Sequence, residues 1–302
     1  MGEVAGRGRG RQRRLKSILG ELVLTQSQAQ RLGVRPHAAQ SPLLERLALL
    51  IAANESYERG EEDLALLTGI ELSDSTLRRL VLKVPEPPVQ LKAAGEKGGE
   101  PAAVSQLAVD GGKVCLRAPG GCQWKDYKVA TLNGGAASVA RFADNEGLLE
   151  RVNALRLEEP LLCLGDGHAG VWNLVARIGE PRSRFELLDW YHLKENLYRQ
   201  PWGETRLQAA ERQLWQGRAG ELIASLPPNK RRRNFLEKQE GRLANYEDFQ
   251  QAGIPIGSGA VESAIKQISA RIKITGARWK RENINSALAN RVAYLNSKQM
   301  QN

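Results

Sequence analysis

The chain has 302 residues, and 44 Lys and Arg outweigh 34 Asp and Glu to give a formal net charge of +10. This length is enough for one large domain and an accessory one, and the positive charge makes nucleic acid the expected partner, ahead of an anionic membrane surface. No apolar run approaches the ~18 residues of a spanning helix, and nothing resembles a secretory signal, so we expect a cytoplasmic protein without a membrane partner.

The cysteines and histidines restrict the possible metal sites. Cys115, Cys122 and Cys163 form no CxxC pair, which argues against a disulfide framework or a structural zinc site and is typical of a reducing cytosol. The chain also has only three His. A bound metal would therefore need carboxylate ligands, which favours a hard ion such as Mg²⁺ or Mn²⁺.

The first 84 residues divide into two segments. Residues 1–40 are rich in Arg and poorly patterned, which predicts a basic flexible tail that either lies along phosphates or is simply solvated. Residues 41–84 predict a helical domain that begins with Ser41 as a cap and Pro42 in the first turn. Its last two helices, joined by a turn at Gly69, are typical of a helix-turn-helix, although an ordinary helical hairpin remains an alternative. Arg78 and Arg79 would be its DNA contacts.

A Pro-rich and Gly-rich linker over 85–102 precedes the remaining domain, 103–296. Strands are predicted over 104–109, 113–117 and 127–132, with turns at Gly111-Gly112 and at 119–121. A helix over 145–157 and a strand–helix–strand unit, whose strands are 161–164 and 185–188, follow. The resulting β-β-β-α-β-α-β order is that of a ribonuclease-H-like α/β domain.

The rest of the chain is predicted to be helical. An all-helical insertion occupies about 197–253, a long helix runs over 260–270, and a final helix covers 284–295. Residues 266–281 contain six basic residues and no acid, which suggests contact with DNA phosphates. Trp279 could stack on a base there, or could equally lie in the core. The basic residues are Lys266, Arg271, Lys273, Arg278, Lys280 and Arg281.

Four acidic residues lie at the ends of predicted strands or at the start of a predicted helix, which are common positions for active-site residues. Asp110 and Asp166 follow strands, as does Asp189, and Glu262 begins the long helix. Each has an ordinary alternative, because Asp often caps a helix or forms a turn and Glu in a first turn interacts well with the helix dipole. Three carboxylates brought together repel one another unless cations neutralise them. Two Mg²⁺ ions roughly 4 Å apart perform phosphodiester chemistry in such clusters.

Four segments then resemble the DDE transposases of bacterial insertion sequences, nearest to the Kra type, which is related to the Mutator-like clade. They are DGGKV from residue 110, GDGHAGVWNL from 165, DWYHLKENL from 189, and IPIGSGAVESAIKQI with TGARWK, from 254 and 275. The resemblance covers roughly residues 41–296. The two motifs GDGxxxxWNL and PIGSGxVESAxK are specific when they occur together in this order.

The resemblance implies that Asp110, Asp166 and Glu262 are the metal-binding catalytic triad, with Mg²⁺ or Mn²⁺ as cofactor. His192 matches the C/DxxH motif of the clade and would support the site or position DNA. Double-stranded DNA, as element ends and target, would be the substrate of a homodimer or higher oligomer in the bacterial nucleoid. The usual longer amino-terminal region, often with a Cys-rich zinc-binding piece, is expected to be absent.

Two other functions fit the same residues. A related metal-dependent nuclease would share the triad and cut DNA without joining it. A non-catalytic DNA-binding protein derived from a transposase would keep the basic surface and show no metal-dependent activity.

Overall fold

The computed structural model describes residues 12–83, 85–91, 102–228 and 231–299. The described residues form two compact units. The first consists of residues 12–87, 115–122 and 270–294, and the second of residues 88–114, 123–269 and 295–299. No helix in these ranges is long and apolar enough to cross a membrane.

The first unit begins with a small hairpin and a helix. Strands β1 (Gln12–Ser17) and β2 (Gly20–Thr25) pair antiparallel, and α1 (Gln26–Arg31) follows with Thr25 and Gln28 forming a capping box. The predicted flexible tail is therefore wrong for this stretch, while residues 1–11 lie outside the described ranges. Four apolar residues scattered among the arginines supply a core that is small but buried: Leu15, Leu24, Ala29 and Val34.

Three helices complete the amino-terminal part of the first unit: α2 (Pro42–Ala52), α3 (Tyr57–Thr68) and α4 (Asp74–Lys83). The predicted start of α2 is confirmed, because Ser41 Oγ accepts a 3.3 Å hydrogen bond from Leu44 N. The predicted turn is also confirmed: α3 ends at Gly69, whose φ of 71° lies in the left-handed region that favours glycine. Residue 84 and the linker residues 92–101 lie outside the described ranges.

A five-stranded mixed sheet, in the order β5-β4-β3-β6-β7, makes this an α/β protein. The pairs β3–β6 and β6–β7 are parallel, and β4–β5 is antiparallel. The parallel strand–helix–strand unit was predicted correctly. The strands are β3 (Val104–Ala118), β4 (Gly121–Leu132), β5 (Ala137–Arg141), β6 (Leu157–Gly165) and β7 (Arg184–Leu188).

The turn predicted at Gly111-Gly112 is wrong, because β3 runs straight through both glycines. A Cβ at Gly112 would overlap the ring of Tyr127, so this glycine allows a close approach across the sheet. The two predicted strands 104–109 and 113–117 are thus one strand. The third strand of the antiparallel part is β5, which the sequence did not predict.

Helices cover the rest of the second unit and the end of the chain. As predicted, the described part of the insertion is helical, and a long helix carries Glu262. The helices are α5 (Asn145–Asn153), α6 (Ala169–Val175), α7 (Trp190–Tyr198), α8 (Glu204–Trp215), α9 (Ala219–Ser225), α10 (Arg231–Gln239), α11 (Tyr246–Gln251), α12 (Gly259–Ile272) and α13 (Ile284–Gln299).

The insertion packs on β7, the strand that Asp189 directly follows. The hydroxyl of Tyr246 donates a 2.9 Å hydrogen bond to the carbonyl of Leu188, and Arg242 Nε lies 2.7 Å from Glu186 Oε2. The rings of Tyr246 and Trp190 are 4.9 Å apart. These contacts hold the end of β7 and the start of α7 from the side of the insertion.

One disulfide joins Cys115 to Cys122, whose Cα atoms are 5.6 Å apart across the turn between β3 and β4. The sequence argued against a disulfide framework and did not predict this pair. Cys163 is free and buried in β6. Burial raises the pKa of its thiol to about 12, so it is neutral at physiological pH.

Candidate active site

Asp110 and Asp166 lie at matching positions of two parallel strands. The expectation that Asp110 follows a strand is wrong, because β3 continues past it to Ala118, whereas Asp166 directly follows β6 as predicted. Ala108 of β3 is aligned with Leu164 of β6, and each acid follows its aligned residue by two positions. Asp110 Oδ1 accepts a 2.6 Å hydrogen bond from Gly111 N, and Asp166 Oδ1 accepts one of 2.8 Å from His168 N. The second bond is the turn interaction that was the ordinary alternative for Asp166, and it leaves the other carboxylate oxygen available.

The two acids are close enough to influence each other. Burial raises the pKa of Asp110, and the negative charge of Asp166 raises it further, while the Gly111 amide, His192 and Lys128 act in the opposite direction. A carboxyl group whose ionised form is disfavoured by burial and by a like charge gains most from a nearby cation. A cation placed beside Asp110 and Asp166 would therefore favour the ionised form of Asp110.

Asp189 is fully buried and connects two helices. It caps α7 by accepting a 2.9 Å hydrogen bond from His192 N, and its other oxygen accepts one of 2.5 Å from Ser258 Oγ and a second from Ser258 N. Burial alone would raise the pKa of Asp189, but the hydrogen bonds from His192 and Ser258 outweigh it and lower the pKa to about 2. Asp189 is thus an ionised anchor between the start of α7 and the loop before α12.

His192 lies between this anchor and Glu262. Its Nδ1 is 3.5 Å from Asp189 Oδ1 and 4.0 Å from Glu262 Oε1, which are ion-pair contacts without good hydrogen-bond geometry. The Asp189 carboxylate raises the pKa of His192 to about 9 against the effect of burial, and the charges of Glu262 and Asp166 add to the rise. A charged imidazolium therefore stands among the four acids at neutral pH.

The structure places two of the predicted triad, Asp110 and Asp166, just past the last aligned pair of β3 and β6, and Glu262 beside His192, without closing the three around a single point. The charges of Asp166 and Glu262 raise the pKa of His192, and the charge of His192 in turn lowers the pKa of Asp110. In the described parts of the chain, no three His, Cys, Asp or Glu side chains converge closely enough to hold one metal ion. The carboxylate oxygens are the donors that Mg²⁺ and Mn²⁺ prefer, so the chemistry of the set fits such an ion, and Glu262 contacts His192.

The predicted DNA contacts fall into two groups. Arg271 and Trp279 are buried in the first unit, 4% and 8% exposed, so the prediction that they contact DNA is wrong. Arg271 Nε donates a 2.8 Å hydrogen bond to Ala52 O, and its guanidinium lies 5.1 Å from the ring centre of Trp279. The other predicted contacts are exposed: Arg78, Arg79, Lys273, Arg278, Lys280 and Arg281 in the first unit and Lys266 in the second.

Ser258 was not predicted as part of the site. From the sequence alone, Gly257-Ser258-Gly259 indicates only an interruption between helices. The partner of Ser258, Asp189, is 69 residues away in the sequence. A usable signal was the position of Asp189 directly after the apolar run 185–188, because a carboxylate that is buried at such a point needs hydrogen-bond donors. A small hydroxyl residue in the loop before α12 is a natural donor.

Comparison of the sequence with models of known protein families gives no match, and comparison with curated proteins gives none either.

Proposed function

We propose that the chain is a DDE-type DNA transposase that cuts DNA at the ends of an insertion sequence and transfers the freed 3′-hydroxyl into target DNA. The observation that carries the proposal is that Asp110 and Asp166 lie at matching positions of β3 and β6, while Glu262 contacts His192, whose pKa the charge of Asp166 also raises. These are the acids that the motif resemblance selects.

The architecture supports a ribonuclease-H-like core for this reaction. Three strands, of which β4 and β5 are antiparallel, precede two strands that extend the sheet in parallel, and a helical insertion separates α7 from the helix with Glu262. The order of the elements is the one expected for that fold with an insertion. Asp166 follows the carboxyl end of β6, which is where open α/β sheets bind ligands, and Asp110 lies at the matching level of β3.

Asp110, Asp166 and Glu262 would hold Mg²⁺ or Mn²⁺. When bound, such ions activate the attacking oxygen and stabilise the leaving one in displacement at phosphorus. The contribution of His192 is to hold Glu262 near the strand acids through its positive charge. Because hydrolysis and strand transfer are both in-line displacements, one pocket serves both steps.

Exposed basic residues would bind the DNA backbone. Arg78 and Arg79 lie on α4 in the first unit, and Lys280 and Arg281 follow α12 in the same unit. Contacts of this kind position DNA without reading its sequence, and each neutralised phosphate adds to the salt dependence of binding.

The test compares cleavage and joining by the wild-type protein and by Asp166→Ala. Labelled DNA with the element's own ends and a plasmid target are incubated with Mg²⁺, Mn²⁺ or EDTA. We expect metal-dependent joined product from the wild type and none from Asp166→Ala, with DNA binding retained by both. Glu150→Ala is the matched control, since it removes an exposed carboxylate from α5 in the same unit.

Three outcomes distinguish the functions. Cutting without joining would identify a nuclease, and DNA binding without cutting in any metal would identify a non-catalytic DNA-binding protein. Substantial catalysis by Asp166→Ala would exclude the assigned triad.

A further inference from the structure

We propose that Tyr191 forms a stacking site for a DNA base beside the acidic cluster. The inference rests on the proposed function, because it assumes that DNA is the ligand, and it assigns to the site a substrate contact that no motif indicated.

Tyr191 is an exposed aromatic residue next to buried site residues. It is the second residue of α7, directly before His192, and 61% of its surface is exposed, whereas its neighbour Trp190 is 5% exposed. Tyr191 therefore contributes little to the core of the second unit. Its hydroxyl makes no hydrogen bond with any other residue in the described ranges.

The loop before α12 leaves space for the ring. A Cβ at Gly257 would lie 2.6 Å from Tyr191 Cε2 and 2.7 Å from Cδ2, so one edge of the ring rests on the backbone of Gly257. A side chain at position 257 would push the ring away. Glycine here is explained by the aromatic ring that it supports.

This support is held firmly. Ser258, the next residue, is anchored to the buried carboxylate of Asp189 through its side chain and its amide. The carbonyl of Ile256, on the other side, accepts a 2.9 Å hydrogen bond from Trp190 N. An exposed ring on a fixed loop loses little conformational freedom when a ligand stacks on it, which favours binding.

The chemistry of the site selects a nucleobase as the occupant. Aromatic side chains beside a DNA-binding site stack on bases with little regard for sequence, because every base has a flat π-face. Trp279, which the sequence suggested for this role, is buried, whereas Tyr191 is exposed and adjoins His192.

Tyr198 provides a matched control on the same helix. It is 42% exposed, but its hydroxyl donates a 2.5 Å hydrogen bond to Glu211 and the ammonium group of Lys194 lies 5.7 Å from its ring centre. The polar end and the ring of Tyr198 are thus engaged within the protein.

The experiment uses the full chain with Asp166→Ala, so that bound DNA stays intact. The probe is a duplex of the element's own end with 2-aminopurine at successive positions flanking the cut, and stacking is read as quenched fluorescence. We expect one position to be quenched by the parent and by Tyr191→Phe, and not by Tyr191→Leu or Gly257→Ala. Tyr191→Leu should weaken binding roughly tenfold, within the range for one stacked base, and Tyr198→Leu should change neither quenching nor affinity.

The inference is overturned if Tyr191→Leu quenches and binds like the parent, or if Tyr198→Leu loses as much as Tyr191→Leu. A chain that binds no DNA would overturn both this inference and the proposed function. If the wild type and Tyr191→Leu join DNA equally well, and the Asp166→Ala parent quenches no position, the stacking site is excluded and the proposed transposase function stands.

Discussion

Asp189 and Ser258 are joined by a 2.5 Å hydrogen bond between Oδ2 and Oγ, although they are 69 residues apart in the sequence. Asp189 is also the cap of α7, and Ser258 directly precedes α12. One buried carboxylate therefore fixes the helix that carries His192 against the helix that carries Glu262. The 4.0 Å contact between these two side chains depends on that connection.

Ser258→Ala should destabilise the protein by about 1.5–3 kcal/mol, because it removes a hydrogen bond to an ionised and buried partner. Urea unfolding measures the effect. Ser263→Ala is the control, since Ser263 is exposed on α12 and accepts only a 3.3 Å hydrogen bond from Gln267, and we expect a loss within about 0.5 kcal/mol. If the two variants were equally stable, Asp189 and Ser258 would not be coupled.

Stability should fall in acid in a way that depends on Asp189. Its pKa is lowered from 3.8 to about 2 in the folded protein, so its contribution is complete above 3.8 and disappears as the pH falls through 2. The contribution is about 2 kcal/mol at neutral pH, and about half is lost by pH 3. The difference in unfolding free energy between wild type and Asp189→Asn should shrink accordingly between about pH 6 and about pH 3. A difference that stays constant over this interval would argue against an ionised Asp189.

Neighbouring glycines in β3 should respond differently to alanine. Gly112→Ala should cost about 1–3 kcal/mol or more, because the new methyl group would overlap the ring of Tyr127. At Gly111 the nearest atom to a new Cβ is Lys128 Nζ at 3.4 Å, the end of a flexible side chain, so Gly111→Ala should be nearly neutral. Thermal unfolding of the two variants gives the comparison. Equal losses would mean that the glycines serve a turn, as the sequence suggested.

Arg271 should prove to be a stability residue and Lys280 a DNA contact. Arg271→Ala removes a buried hydrogen bond to Ala52 O and the contacts of the guanidinium with the rings of Tyr57 and Trp279, at 5.0 and 5.1 Å, so we expect a loss of about 2–4 kcal/mol. Lys280→Ala should leave stability unchanged. It should also lower the slope of the logarithm of the DNA-binding constant against the logarithm of salt concentration by about 1, which corresponds to the loss of one phosphate contact. Weaker DNA binding by a fully stable Arg271→Ala protein would restore the original prediction.

Local signals gave most of the helices and the parallel strands. The cap at Ser41, the apolar spacing of α12 and the strand–helix–strand unit around α6 all depend on residues close together in the sequence. The glycines of β3 show the limit of such signals. A glycine that forms a turn and a glycine that makes room for a ring look the same until the residue across the sheet is known.

The acids of the candidate site could be selected from their positions in the sequence. Their hydrogen-bond partners could not be predicted. The anchor at Asp189 and the burial of Arg271 are created by partners 69 and 219 residues away. Charge gave a misleading indication for Arg271, because a guanidinium can be buried when aromatic rings and a carbonyl surround it. The core of the amino-terminal hairpin was missed for a similar reason, since its few apolar residues lie among many arginines.

The segment formed by α7 and the helical insertion is closed at its base. Its first residues are tied to the loop before α12 by the hydrogen bond from Trp190 N to Ile256 O and by the bond from Ser258 to Asp189. A chain excursion that is closed at its base can change length at little thermodynamic cost, since each doubling adds only about 0.6 kcal/mol of closure entropy. Such growth is open to the loops between the insertion helices.

Helices α8 and α10 are less free to change, because Trp215 of α8 lies 4.8 Å from the ring of Trp190 and Gln239 of α10 donates a hydrogen bond to Gly167 O. Helix α11, which carries Tyr246, must also stay to cover the end of β7.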